Sequence, residues 1–287
     1  MAKPSIIALL TDFGSSDTYV AQLKAVILSI APEAVLVDVT HGIAPGDVLA
    51  GAFALRQALP YFPPGTVHCV VVDPGVGTER RIIAARFAAQ AVVCPDNGLI
   101  SFVSQDLPMQ EIAVVRDERY FLTPAVSATF HGRDIMAPVA AHVARGLALS
   151  RLGPRPERIK MLDIPQARVE ADGMIVGQVV SVDHFGNLIS NIPARMLAET
   201  GAATPAAAAL LANLPAFQLA AAIAPVEVLC NGRPLGLLQA TYAAVSPGEP
   251  VAVVNGAGVV EVAVNLGRAK DVLSASVGSE IRIVRKR

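Results

Sequence analysis

Residues 5–40 read SIIALLTDFGSSDTYVAQLKAVILSIAPEAVLVDVT. Two short apolar runs rich in Ile and Val, SIIALL and AVLVDVT, flank a segment from about Tyr19 to Ile30 whose apolar residues recur at three- and four-residue spacing. Strand, helix and strand in that order are the signature of a parallel sheet with covering helices. The alternation continues, with strands expected at TVHCVVVD, RIIAARF and AVVCPD and helices at VLAGAFALRQAL and around DIMAPVAAHVARGLAL. The fold class is therefore α/β, with an N-terminal domain over residues 1–160 built on a mainly parallel sheet.

Outward from this half, the stretch SRLGPRPERIKMLDIPQARVEADG (150–173) is rich in proline and charge and offers little to a core. Residues 161–172 read as a linker. From Gly173 onward β-rich runs dominate: MIVGQVVSVD, VEVLCN, GLLQATY, PVAVVN, VVEVAVN and EIRIVRKR, separated by turn signals such as NG, SPGE and GAG. Residues 173–287 are expected to form an antiparallel β-barrel-like domain, with an Ala-rich helical insertion at about 203–222. A length of 287 residues suits two such cores better than one.

Composition narrows the partners. A net charge of −1 supplies no basic field for a polyphosphate backbone, so nucleic acid is not expected and small molecules are. A hydrophobic fraction of 53% against 16% charged residues leaves less polar surface than a monomer usually shows, which points to burial between subunits. Cys69, Cys94 and Cys230 sit in apolar runs without zinc-like or disulfide-like spacing and read as core residues in a reducing compartment. The apolar run before Asp12 is too short for a signal peptide, so a cytoplasmic location is expected. The uncharged stretch between Glu199 and Glu227 is long enough to span a bilayer, but Pro205, Pro215 and Pro225 break it and no membrane partner is expected.

Polar residues gather at the ends of apolar strands, where an open α/β sheet keeps its ligand site. Asp12 closes the first strand, Asp73 closes VHCVVVD, and Asp96 with Asn97 closes AVVCPD. Each alone is equally a cap or turn residue. DPGVGTERR lacks both the GxGxxG and the GxxxxGK[ST] spacing of phosphate loops. Its two glycines instead allow a tight turn that folds Arg80 back onto Asp73, either as an ordinary ion pair or as part of a site. His131, in TFHGRDIMAP, precedes a helix expected to begin near Asp134, where a positive field favours the neutral imidazole. Asp183 and Asn187 in VDHFGNLISNI flank a turn, and either make that turn or reach a ligand, Asp183 taking an ammonium and Asn187 the edge of a base. The remaining histidines lack ligand-like spacing, so no metal is expected.

Taken together, TDFG (11–14) with Asp17, DPGVGTERR (73–81), PDNG (95–98), TFHGRD (129–134), DHFGN (183–187) and VNGAGVVEVAVNLGRA (254–269) resemble the S-adenosyl-L-methionine hydroxide adenosyltransferases, relatives of the fluorinase and chlorinase enzymes. The resemblance spans nearly the whole chain. It implies a homotrimer with active sites between subunits, and S-adenosyl-L-methionine as substrate with no further cofactor. It further implies that Asp12 holds the ribose hydroxyls, that Asp17 and Asp183 engage the methionine end, that Asn187 contacts adenine, and that Phe130 walls the pocket near the reacting carbon. Asn255 joins the substrate-binding candidates, beside Gly256 and Ala257, which offer only backbone where relatives use a hydroxyl and a basic side chain. The halide-using relatives carry Tyr in place of Asp73 and Ser in place of Gly132. A carboxylate at the nucleophile site repels a halide and polarises water. The implied catalytic set is Asp73, Arg80 and His131, and the implied reaction is attack of water at C5′ to give adenosine and L-methionine. The alternatives are a 5′-halo-5′-deoxyadenosine synthase and a non-catalytic sensor of the same ligand.

Overall fold

The computed structural model describes residues 5–197 and 225–285. The Ala-rich insertion expected at 203–222 lies outside the described residues, as does most of the uncharged stretch considered as a membrane span. No helix among the described residues is long and apolar enough to cross a membrane. The chain divides into two compact units, residues 1–164 and 165–287.

The first unit is an α/β fold built on a six-stranded sheet in the order β2-β1-β3-β5-β4-β6. Strands β1 (Ile6–Thr11), β2 (Val35–Thr40), β3 (Val67–Val71) and β5 (Gln90–Pro95) run parallel, linked by α1 (Tyr19–Ile30) and α2 (Val48–Ala58). Strand β4 (Ile82–Phe87) runs antiparallel to β5 and to β6 (Met109–Val114), which makes the sheet mixed at that edge. The reason is covalent: β4 and β5 are joined only by Ala88 and Ala89, too few residues for a parallel crossover, and Ala88 takes φ +48 to close the hairpin. Ile7 and Leu9 of β1 are fully buried under α1 and α4 (Ala137–Ala144), each side chain stabilising the core by roughly 1.5–3 kcal/mol. Phe53 of α2 meets Phe102 of α3 (Ser101–Asp106) edge to face, ring centroids 5.5 Å apart. The segment expected to be one helix from Asp134 to Leu149 begins instead as a π-turn at Gly132–Met136 and continues as α4.

The second unit closes on itself. Strands β8 (Ile175–Val182), β9 (Leu188–Pro193), β13 (Val259–Val264), β12 (Pro250–Val254), β11 (Arg233–Gln239), β10 (Val226–Cys230) and β14 (Glu280–Arg285) form a ring, sealed by the β14–β8 pairing, so the barrel has seven strands. A short strand β7 (Arg168–Val169), inside the stretch read as linker, pairs with β8. All pairings are antiparallel except β11 with β12, which are parallel because the chain crosses over between them through residues 240–249. Val260, Val262 and Val264 of β13 point into the barrel core with Ile175, Val179 and Leu188. The alternate residues of β13 face outward, and there Ala263 packs with Val251, Val253 and Val245 in a second small cluster, so the crossover covers that face.

Candidate active site

Three loops of the first unit carry its candidates. Asp12 follows β1, Asp73 lies two residues beyond β3, and both therefore stand at the carboxyl ends of adjacent parallel strands. The Asp12 carboxylate accepts the backbone N–H of Gly46 at 2.8 Å. Asp17 is exposed in the turn before α1. Phe13, next to Asp12, packs edge to face with Phe130 at 5.7 Å, and Tyr19 completes the trio at 5.9 and 5.4 Å from the two rings. A Cβ at Gly132 would stand 3.1 Å from Val71 and 3.4 Å from Phe13, so the loop bearing His131 is packed tightly under these rings.

Asp73, Arg80 and His131 come together. Arg80 Nε donates to both Asp73 carboxylate oxygens at 2.9 Å, and Nη2 donates to Oδ2 at 2.5 Å and to His131 Nδ1 at 2.7 Å. The carboxylate and guanidinium side chains are only 5% and 11% exposed, so water screens this ion pair little. The turn behind it depends on Gly77, which has φ +79 and whose Cβ, if present, would lie 2.6 Å from the Ala128 carbonyl oxygen. That close approach brings the loop of Arg80 against the loop of His131, 51 residues later.

The hydrogen bonding fixes the state of His131. Arginine carries only donors, so Nδ1 must accept and the imidazole proton of the neutral ring resides on Nε2. Burial lowers the His131 pKa and the Arg80 charge lowers it further, against the opposing pull of Asp73 and Asp134. The sequence pointed to a helix-terminal field as the cause, whereas the structure supplies burial and the Arg80 charge. Asp73 and Arg80 also line a polar recess of about 600 Å³ with Gly75, Thr78 and Asn97.

Asp96 and Asn97 do structural work. Asp96 is paired with Arg81 and accepts the backbone N–H of Lys160 at 2.8 Å, and Asn97 donates to the Val72 carbonyl at 2.8 Å. Among the described residues no group of three or more His, Cys, Asp or Glu side chains could hold a metal ion. Cys69, Cys94 and Cys230 are free and buried.

In the second unit, Asp183 and Asn187 make their turn with each other: Asn187 N donates to Asp183 Oδ1 at 2.8 Å and Nδ2 to Oδ2 at 3.0 Å. Both nevertheless line a cavity of about 630 Å³, with Phe185, Tyr242, Leu266 and Arg268 among its other walls. Phe185 and Leu266 are 70% and 89% exposed, an apolar rim around polar groups, as in small-molecule sites. Asn255 is absent from that lining. Its Oδ1 accepts the Ala257 N–H at 3.0 Å and its Nδ2 donates to Glu261 at 3.0 Å, so its amide is committed to the β12–β13 hairpin. Sequence reading passed over Tyr242, Arg268 and Glu261. Tyr242 stands in the run GLLQATY, and Glu261 and Arg268 stand in VNGAGVVEVAVNLGRA, but no spacing marked a role for any of the three.

Residues 7–153 match the SAM hydroxide adenosyltransferase N-terminal domain, and residues 177–282 match the corresponding C-terminal domain. The chain is 40% identical over 285 residues to an (R)-S-adenosyl-L-methionine hydrolase of Salinispora tropica, covering 99% of both. It is 31% identical over 223 residues to a fluorinase of an Actinoplanes species, covering 68% of this chain and 74% of the relative. The crystal structure of an uncharacterized conserved protein from Thermotoga maritima superimposes with a TM-score of 0.84 at 36% identity, covering 97% of this chain and all of that one.

Proposed function

The chain belongs to the SAM hydroxide adenosyltransferase family, and from that premise we propose that it hydrolyses S-adenosyl-L-methionine to adenosine and L-methionine. The observation that carries this reading is the Asp73–Arg80–His131 cluster, with a carboxylate where the halide-using relatives are expected to carry a tyrosine. Full-length likeness to a hydrolase, against shorter and weaker likeness to a fluorinase, supports the same choice.

The chemistry asks little of an acid. The substrate's sulfonium leaves as a neutral thioether with the C5′–S electron pair, so nothing needs to protonate sulfur. The water oxygen forms the new C5′–O bond from the opposite side and gives up one proton. Placing that water in line supplies several kcal/mol of the barrier reduction. His131, with its proton on Nε2, donates a hydrogen bond to the water and orients it. Asp73 takes the proton: a carboxylate has about four acceptor sites, and three are occupied by Arg80. The polar recess beside Asp73 gives that proton an exit. Arg80 fixes both partners and balances the carboxylate charge.

For the substrate, the reading assigns the ribose hydroxyls to Asp12, the methionine end to Asp17 and Asp183, adenine to Asn187, and the wall near C5′ to Phe130. It includes a cytoplasmic homotrimer with sites between subunits, which accords with the apolar composition. Incubation with S-adenosyl-L-methionine in ¹⁸O-water containing chloride tests the reaction. Adenosine labelled at its 5′ oxygen is the expected product. 5′-Chloro-5′-deoxyadenosine, or stoichiometric binding without release of methionine, overturns the proposal.

A further inference from the structure

Glu261 is anomalous for its strand. The β13 sequence VVEVAV alternates aliphatic residues on both faces, and another aliphatic side chain at 261 would pack beside Val253, its partner on β12, and Ala263. The chain instead buries a carboxylate there, 3% exposed. Among the described residues no cation pairs with it. Its two side-chain partners are neutral: the Tyr242 hydroxyl donates to Oε1 at 2.8 Å, and Asn255 Nδ2 donates to Oε2 at 3.0 Å. Burial raises the Glu261 pKa above the ordinary carboxylate range, and the nearby Asp183 charge adds to the rise. A group this costly to bury is retained for what it holds.

What it holds is a wall of the cavity. Tyr242 lies in the crossover 240–249 and lines the same space as Asp183 and Asn187. The far end of that crossover is tied down separately, by Asn265 Nδ2 donating to the Val245 carbonyl at 2.7 Å and Asn265 N to Glu249 O at 3.0 Å. At its near end the Tyr242–Glu261 hydrogen bond is the side-chain tie. Asn255 in turn fixes Glu261, because its own Oδ1 is engaged by backbone N–H groups and the amide cannot flip without losing them.

We propose that Glu261 is a positioning residue for substrate binding, holding the Tyr242 ring and the crossover as a preformed wall of the Asp183 cavity. The proposal rests on the reading that S-adenosyl-L-methionine is bound there. A loose wall must be ordered when the ligand enters, which lowers affinity without touching the reacting atoms.

The test is a double-mutant cycle on steady-state hydrolysis of S-adenosyl-L-methionine, with thermal unfolding to monitor the fold. Tyr242→Phe keeps the ring and removes only the hydroxyl. It is expected to raise KM about fivefold with kcat within about twofold. Glu261→Ala is expected to raise KM about tenfold, and the double variant no further, since both changes cut one tie. Glu261→Gln, which keeps the volume and can accept from Asn255 Nδ2 through its amide oxygen while its NH2 donates to the Tyr242 hydroxyl oxygen, is expected to return KM to within about twofold of the parent. Wild-type KM in Tyr242→Phe, or additive effects in the double variant, overturns the proposal. Should Glu261→Ala fail to fold, Tyr242→Phe alone decides. Failure of the parent enzyme to bind or turn over S-adenosyl-L-methionine overturns the functional reading itself, whereas a hydrolysing parent with an unaffected Tyr242→Phe variant overturns this inference alone.

Discussion

Two carboxylates, Asp73 in the first unit and Glu261 in the second, are each held by two side-chain residues or fewer, yet their surroundings set them to different tasks. Asp73 faces the full charge of Arg80 and borders a polar recess. Glu261 faces a phenol and an amide inside an apolar cluster, where burial opposes its ionisation. On the proposed reading, the same chemical group serves as base in one place and as anchor in the other. The deciding quantity is the charge of its partner, a guanidinium for Asp73 and neutral groups for Glu261.

Substitutions are expected to separate the two. The largest effect is expected at Asp73→Asn, which removes the base: kcat should drop about a thousandfold, with the dissociation constant for substrate within about threefold, measured by turnover and by calorimetry. A variant with near-parental kcat would make Asp73 another anchor. Next comes Arg80→Lys, whose single ammonium cannot span Asp73 and His131 together. A loss of about a hundredfold in kcat is expected, and a smaller loss than about threefold would show that the fork geometry is dispensable.

Gly77→Ala tests the contact that joins the two loops. The left-handed backbone and the 2.6 Å approach to the Ala128 carbonyl predict a loss of about 2 kcal/mol in stability and about tenfold in kcat, read by denaturant unfolding and turnover. Asp96→Ala provides the structural control. It breaks a partly buried pair whose Arg81 can still reach water, so about 1–3 kcal/mol of stability should be lost with kcat within about twofold.

The smallest effect concerns pH. His131 is held neutral in the folded protein below the usual histidine value, so its contribution to stability is fully present above the unfolded value of about 6.5. It is lost as pH falls through the lower folded value. The acid limb of kcat should lie below about pH 6.5 for the same reason. An acid limb above that value would mean that the imidazolium, rather than the neutral ring, is favoured in the active enzyme.

Local pattern exposed what local physics determines. The βαβ opening, α1 from Tyr19 to Ile30 and the pairing of Arg80 with Asp73 all depend on residues close in sequence, and their spacing displays them. The β4–β5 hairpin was also within reach, because two linking residues forbid a parallel connection, but β-branched composition alone reads as parallel. The joining of His131 to Arg80 was implied by the family resemblance but not legible in local spacing. It depends on Gly77 meeting Ala128, a contact between distant segments that leaves no periodic mark. The burial of Glu261 was not legible either. Strand alternation places it on the outer face, as the structure does, yet that face is covered by the 240–249 crossover, so a position that reads as solvated is buried.

The division of labour at Asp73 and His131 has a direct spectroscopic measure. The chain has five histidines, so ¹⁵N-histidine labelling with a His131→Asn reference isolates one imidazole. At pH 7.5 the ring of His131 should be neutral, with its proton on Nε2 and Nδ1 bare toward Arg80, which leaves Asp73 to take the proton from water. An Nδ1–H tautomer or an imidazolium at that pH would contradict the account and remove Arg80 as the group that sets both partners.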